Sequence, residues 1–384
     1  MKAGTLTTRA VCAVCFVLFS FLWLYCFQAD MLAVAQHRLS GGVTHYNRTV
    51  GATLITLVLL LLQMAVHAIT RLSRRTHALT YVPSFLCLAF VSDISVVAGT
   101  NSVVMGRLWW LLAVVFVVWT GAVWLARQML PFNNDTQQHT RLLSARTWMN
   151  VAQMAVMMLF VALVGNTDSV LHYRAHAETA LLRGDSREAM RVGWESLETD
   201  RQLTMLRAYA LSLEGLLGEK LFCYPVEGGG DALLPQGEEP LLLPADSIWR
   251  HLGGKPAFTM RPQLFFRMLR EQSLETPAVA DYALCCLLAD KDLDGFVRLL
   301  PTYYDTQHIP TLPRHFREAL VLYRHLHPGS LPDYDDEVVE KEWELMMTTM
   351  EQYPEGSERR LQMMENFRTT YWYYYYDKVT NKGV

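Results

Sequence analysis

Long apolar runs in the first 165 residues constrain this chain more than any other feature, because about 20 apolar residues in a helix cross the roughly 30 Å of bilayer hydrocarbon. Ala10 to Phe27 is one such run, without a charge, behind Lys2 and Arg9. Val50 to Thr70, Trp109 to Ala126 and Trp148 to Val164 follow at similar length. Leu79 to Gly106 is also largely apolar but holds Asp93 in its middle. The first run has a competing reading as a signal peptide, with Ala33-Val34-Ala35 as a small-x-small cleavage site. Its apolar core is long for that role, and further spans follow.

Charge divides the chain at the same place. From Met1 to Val170 there is no glutamate, and four aspartates stand against 11 Lys and Arg, a net of +7. Leu171 to Val384 holds 23 basic and 33 acidic residues, a net of −10. An acidic second half with no basic groove argues against nucleic acid as its partner. In the first half, Lys and Arg are retained on the cytoplasmic side. Five spans, over 10–27, 50–70, 79–106, 108–127 and 148–165, with the N-terminus inside, put Lys2, Arg9, Arg71, Arg74, Arg75, Arg127, Arg141 and Arg146 inside. Only Arg38, Arg48 and Arg107 then lie in the outside loops. Four spans abolish that bias. The expectation is a five-helix transmembrane bundle over 1–166 and an extracytoplasmic domain over 167–384, which in a bacterium means the inner membrane and the periplasm.

The second half reads as helical, because its apolar residues recur at three and four rather than at two. Helices are expected at Tyr173–Arg183, Ser186–Leu197, Gln202–Leu217, Gln263–Gln272, Pro277–Ala289, Arg314–Leu326, Asp336–Gln352 and Ser357–Tyr373. Asp185 with Glu188 three residues later forms a capping-box-like start for the second of these. Residues 224–245 carry Gly228-Gly229-Gly230 and prolines at 225, 235, 240 and 244, which predicts a surface insertion of little regular structure. No strand pattern stands out, so the fold class expected throughout is all-α.

The string ALLRGDSREAMRVGWESLETD resembles the turn and second helix of a tetratricopeptide repeat, with Gly184-Asp185 at the turn and Ala189 at the helix crossing. A second hairpin, LLADKDLDGFVRLL, sets Leu287, Leu288, Asp290 and Gly295 where Leu181, Leu182, Gly184 and Ala189 stand, an offset of 106 residues. The layout is also similar to an uncharacterised family of polytopic membrane proteins from Bacteroidota that end in an aromatic tail, here Thr370 to Tyr376. That resemblance implies no particular activity.

Candidate functional residues are few. Asp93 leads, since an ionisable group inside a span is costly and faces a cavity, a partner or a proton path. The alternative sets it near headgroups on a tilted or re-entrant segment. His67, near the end of its span, is a candidate to face Asp93 across the bundle. Asp30, His37 and Arg38 in the first outside loop are candidates for holding a polar headgroup, against a plain solvated loop. Trp372, Tyr373, Tyr374, Tyr375 and Tyr376 form a block that packs back on the domain, sits at the membrane interface, or meets a partner. Asp335 or Asp336 reads as a helix N-cap rather than as part of a calcium loop. No GxSxG, HExxH, P-loop or GxGxxG motif occurs, and no metal or cofactor is implied. The reading that follows is a membrane-anchored scaffold whose extracytoplasmic domain binds a protein or peptide. The alternative is a membrane-embedded enzyme or transport component acting on a lipid-linked or small polar substrate, with its site formed by Asp93 and the first outside loop.

Overall fold

The structure, a computed structural model, describes residues 3–96, 103–105, 109–128, 145–236, 240–305, 312–329, 334–353 and 356–376. It divides into two compact units, Met1–Asp168 and Ser169–Val384.

Unit one carries four helices long and apolar enough to cross a membrane, within Thr8–Phe27, Arg48–Thr70, Trp110–Gln128 and Thr147–Val164. The helices are α1 (Ala3–Leu22), extended by a π-helical turn at Trp23–Phe27, then α2 (Ala29–Leu39), α3 (Arg48–Thr70), α4 (Val82–Ser92), α5 (Trp109–Gln128) and α6 (Ala145–Val164). Their outward faces are apolar: Leu54, Leu57, Leu61 and Met64 on α3 and Val117, Val118 and Leu125 on α5 stand exposed. A face like that needs hydrocarbon, not water, as its solvent. Inside the unit, Cys12, Phe16, Leu59, Tyr81, Phe85, Leu88, Met154 and Val161 close a core.

Hydrogen bonds between helices fix their directions. Thr8 meets Thr147 at 3.2 Å, and the Ala78 N–H donates to Asn150 Oδ1 at 2.8 Å, so the starts of α1 and α6 share one end. At the other end Trp23 Nε1 donates to Ser92 Oγ at 2.8 Å and the Asn166 N–H to the Ser92 carbonyl at 3.0 Å. Between these ends Gln63 bonds Thr80 and Ser84 bonds the Leu59 carbonyl, so residues 74–92 run antiparallel to α3.

The segment 79–106 is not one helix. A 3₁₀ stretch, Arg74–Tyr81, leads directly into α4, which stops at Ser92. An antiparallel hairpin then pairs β1 (Ile94–Val96) with β2 (Val103–Met105), Ile94 opposite Met105. The hairpin is a minor element of an all-α chain: β-branched residues cluster on both arms, and an apolar run does not by itself separate strand from helix.

Unit two contains α7 (Ser169–Leu182), α8 (Ser186–Arg191), α9 (Arg201–Leu213), α10 (Leu217–Lys220), α11 (Ala245–Leu252), α12 (Pro262–Glu271), α13 (Ala278–Ala289), α14 (Leu293–Tyr303), α15 (Arg314–Leu326), α16 (Glu337–Gln352), α17 (Ser357–Phe367) and α18 (Tyr371–Tyr376). Asp185 caps α8 by accepting the Glu188 N–H at 2.9 Å, but Glu188 turns to Arg183 and His176, so only half of a capping box forms. Asp336 caps α16 through the Val339 N–H.

The two sequence-related hairpins have the same turn, one residue out of the expected register. After α7, Gly184 is left-handed at φ +77°, and N–H groups of Gly184 and Asp185 return to the Leu181 and Ala180 carbonyls. After α13, Lys291 is left-handed at φ +60°, and N–H groups of Lys291 and Asp292 return to Leu288 and Leu287. Asp292 then caps α14 through the Gly295 N–H, as Asp185 caps α8. The structural offset is therefore 107, with Lys291 in the place of Gly184. Glycine is the residue expected at such a C-terminal turn, and a lysine there hides it from pattern matching.

The described residues of 224–245 are irregular, with one 3₁₀ turn at Gly230–Leu233, but they are not a surface loop. Tyr224, Val226, Leu233, Leu234, Leu241, Leu242 and Leu243 are all buried in the unit's core. The anchor is Glu178 on α7, fully buried, whose carboxylate accepts the N–H groups of Leu241, Leu242 and Leu243 at 2.9, 2.5 and 2.8 Å. Three amides on one carboxylate satisfy donors that an irregular buried segment cannot pair within itself. Helix α8 also ends six residues before the expected Leu197. Buried Arg207 explains the stop: its Nη2 donates to the Val192 and Gly193 carbonyls, and Gly193, at φ +62°, leaves no room for a Cβ beside it.

Candidate functional site

The membrane-unit candidates do not assemble into one site. Asp93 is buried, but it is the residue that ends α4, its N–H bonded to the Ala89 carbonyl at 3.0 Å. It therefore lies at the edge of the helical bundle rather than at mid-span. Ser92, its neighbour in the chain, accepts from Trp23 and donates to the Leu88 carbonyl. His67 sits at the opposite end, edge-on to His77 with ring centroids 5.0 Å apart. At 1.5 Å rise per residue along α3 the two candidates are separated by about 25 Å, so His67 does not face Asp93. Asp30 lies 4.0 Å from Arg48, whose Nε donates to the Tyr25 carbonyl at 2.6 Å. His37 and Arg38 lend their carbonyls to the turn that closes α2, accepting from Gly42 and Gly41. Asn47 caps α3 through the Val50 N–H. These residues shape a corner.

The aromatic tail is different. Helix α18 folds back on its own domain, with Tyr371 and Trp372 at 0% exposure and Tyr374 at 9%. Trp372 Nε1 donates to the Glu318 carbonyl at 2.7 Å, and the hydroxyls of Tyr371 and Tyr374 donate to the Leu288 and Ala289 carbonyls. Lys291 bonds the Tyr375 carbonyl at 2.8 Å and stands over the rings of Tyr374 and Tyr375. Burial of this much ring surface, with each polar tip partnered, is the stable arrangement in water. Trp372 is thereby withdrawn from outside contact, Tyr374 keeps only a sliver of surface, and Tyr373, Tyr375 and Tyr376 remain the more exposed members.

Beneath the tail lies a polar cluster that sequence reading missed. His315 and Glu318, both fully buried, are three residues apart on α15. His315 Nδ1 meets Glu318 Oε2 at 2.9 Å, and that oxygen also accepts the Tyr371 N–H at 2.7 Å. Arg314 Nε forms an ion pair with the other carboxylate oxygen at 2.8 Å. The second imidazole nitrogen, Nε2, lies 3.9 Å from the Cys223 sulfur. Burial by itself lowers the His315 pKa, but the Glu318 carboxylate and Cys223 outweigh it and raise the pKa to about 9. The imidazole thus lies between a carboxylate and a sulfur, and both favour its protonated form. A signal for it was present: in Arg314–Leu326, His315, Glu318, Ala319 and Leu322 occupy one helical stripe, so two polar residues share a buried face with apolar ones.

Cys223 is half-buried and opens into a cleft of about 300 Å³. Its apolar wall includes Trp194, Leu197, Tyr224, Val226 and Met364. Arg360 and Arg368 of the α17 region bring positive charge to the same cleft, and Tyr373 borders it from the tail. The α15 and α18 components of the site, with Arg360 and Arg368, fall within residues 258–378, about a third of the chain, which match a family of unknown function, DUF6057. Cys223 and Trp194 lie outside that match. No curated protein and no solved structure matches the chain.

Proposed function

We propose that the protein is a membrane-anchored scaffold whose helical domain binds a peptide segment of a partner protein in the cleft between Trp194 and Arg368. The single observation that carries this reading is the composition of that cleft: Trp, Tyr and Arg side chains around an apolar hollow. These residue types dominate binding energy at protein interfaces. An apolar side chain of the partner fills the hollow, and a carboxylate of the partner meets Arg360 and Arg368. The tetratricopeptide-like character of the domain rests on the two hairpins with matching turns, a layout that stacks helices around concave binding surfaces. Asp93 offers less to a rival enzymatic reading, because the expected company of His67 is about 25 Å away.

The anchor is proposed to cross the membrane five times. The 3₁₀ stretch and α4 together rise about 32 Å, enough for the hydrocarbon layer. Helix α5 starts four residues after β2 ends and therefore returns from the end where Ser92 lies; Trp119 donates to the Leu79 carbonyl on the way. Five crossings set the N-terminus and Ser169 on opposite sides, and the bias of Lys and Arg puts the N-terminus in the cytoplasm. In a bacterium of the kind the sequence resembles, the helical domain then occupies the periplasm.

The test is a photoreactive amino acid at Leu197, exposed on the cleft wall, in the full chain in native membranes. A discrete crosslinked partner that disappears in the Arg360→Glu, Arg368→Glu double variant supports the reading. Crosslinking that persists unchanged in the double variant, or none at all, refutes it.

A further inference from the structure

Glu318 has a clear structural task, since it receives Arg314 and the Tyr371 N–H and holds the tail in place. That task does not require a histidine beside it, nor a thiol on the far side of that histidine. The order of groups is nevertheless sulfur, imidazole, carboxylate, with Cys223 Sγ 3.9 Å from His315 Nε2 and His315 Nδ1 2.9 Å from Glu318 Oε2. A nucleophile in reach of a base that is oriented by a third group is the general geometry of covalent catalysis, whatever the fold that supplies it. Cys223 also has access to solvent, which Cys285 and Cys286, fully buried in α13, do not.

We propose that Cys223, His315 and Glu318 form a nucleophilic site, in which the Cys223 thiolate attacks the carbonyl carbon of an ester whose acyl chain lies in the cleft. The Sγ–C bond forms and the ester C–O bond breaks. The leaving alkoxide takes the proton from His315 Nε2 and departs as the alcohol. Water then attacks the thioester, giving one proton to Nε2; the C–S bond breaks, the carboxylic acid leaves, and the thiolate beside a protonated imidazole is restored. The sum is ester plus water to acid plus alcohol, with no oxidant or other co-reactant. Cys223 and His315 are the catalytic residues, and Glu318 is a positioning residue that keeps the imidazole oriented and protonated. The acyl class follows from the cleft, whose Trp194, Leu197, Val226 and Met364 suit an alkyl chain. In this respect the proposal rests on the cleft being a binding site, while its reactivity does not depend on any protein partner.

The experiment uses the full chain in lipid nanodiscs and p-nitrophenyl butyrate as probe. The expected result is a burst of p-nitrophenolate approaching one equivalent per chain, with the butyryl mass located on Cys223 by peptide mass spectrometry. Acylation of Cys223 should exceed that of glutathione under the same conditions at least tenfold. Cys223→Ala should abolish the burst. In Glu318→Gln, which keeps the side chain's shape, the burst should slow at least tenfold and its pH profile should shift, which a merely structural role would not produce. Absence of butyryl mass on wild-type Cys223, or acylation no faster than that of glutathione, overturns the proposal without recourse to any variant. Because the Leu197 crosslink needs no reactive thiol, a crosslink without a burst would end this inference and leave the binding reading standing.

Discussion

Glu178 offers the sharpest test of how the domain is held together. Glu178→Ala removes the acceptor for three buried amides, those of Leu241, Leu242 and Leu243. Each orphaned donor costs about 1–3 kcal/mol. The loss comes to about 5 kcal/mol, allowing for water entering the space vacated. Glu178→Gln is milder, because its amide oxygen can replace Oε2 for Leu242 and Leu243. Its NH₂ then faces the Leu241 N–H, donor against donor, and the loss is about 2 kcal/mol. Hydrogen exchange on the full chain in nanodiscs reads this locally. In wild type the three amides should exchange slowly, as core amides do. In Glu178→Ala they should exchange at least a hundredfold faster, together with the rest of 224–245, and Glu178→Gln should fall between. Wild-type protection at Leu241 to Leu243 in Glu178→Ala would refute the claim that one carboxylate anchors the segment.

Three further outcomes follow from the same geometry. His315 has its folded-state pKa raised to about 9, so the stability it contributes is complete below the ordinary histidine value of about 6.5 and is lost as pH rises through 9; exchange protection of α18 should be flat at low pH and decline above about pH 7, and a decline on acidification between pH 7 and pH 6 would contradict this. Trp372→Ala empties a fully buried site and should cost about 3–5 kcal/mol, releasing the tail to proteolysis at its C-terminal end, whereas an unchanged digestion rate would mean the tail is not docked. Asp93→Asn and His67→Ala should have effects on thermal stability that add to within about 0.5 kcal/mol, as expected of sites with no shared contact; a larger coupling would bring the two residues back together.

Local structure was legible in the sequence and distant partnerships were not. Arg314–Leu326 was read to the residue, because its apolar positions repeat at helical spacing between Pro313 and a histidine-rich end. An N-cap at Asp335 or Asp336 was likewise readable from a short polar residue before a helical pattern, and the structure gives the role to Asp336. The run 79–106 misled because helix, hairpin and span can all be apolar, and only the pairing of Ile94 with Met105 separates them. Residues 224–245 misled in the opposite way. Their glycines and prolines predicted irregularity correctly, but the acceptor that lets an irregular chain be buried is Glu178, more than 60 residues upstream. The Cys223–His315 pair is separated by 92 residues and has no local motif. Its trace was two polar residues, His315 and Glu318, among the apolar positions of one helical face.

The side of the membrane on which the helical domain lies tests the architecture most directly, since partner, cleft and chemistry all depend on it. A reporter active only outside the cytoplasm, fused after Val384, should be active, and a second fusion at the turn between α3 and the 3₁₀ stretch, after Leu72, should be silent. A silent reporter after Val384, with a cytoplasmic reporter active at the same position, would contradict five crossings and place the cleft in the cytoplasm.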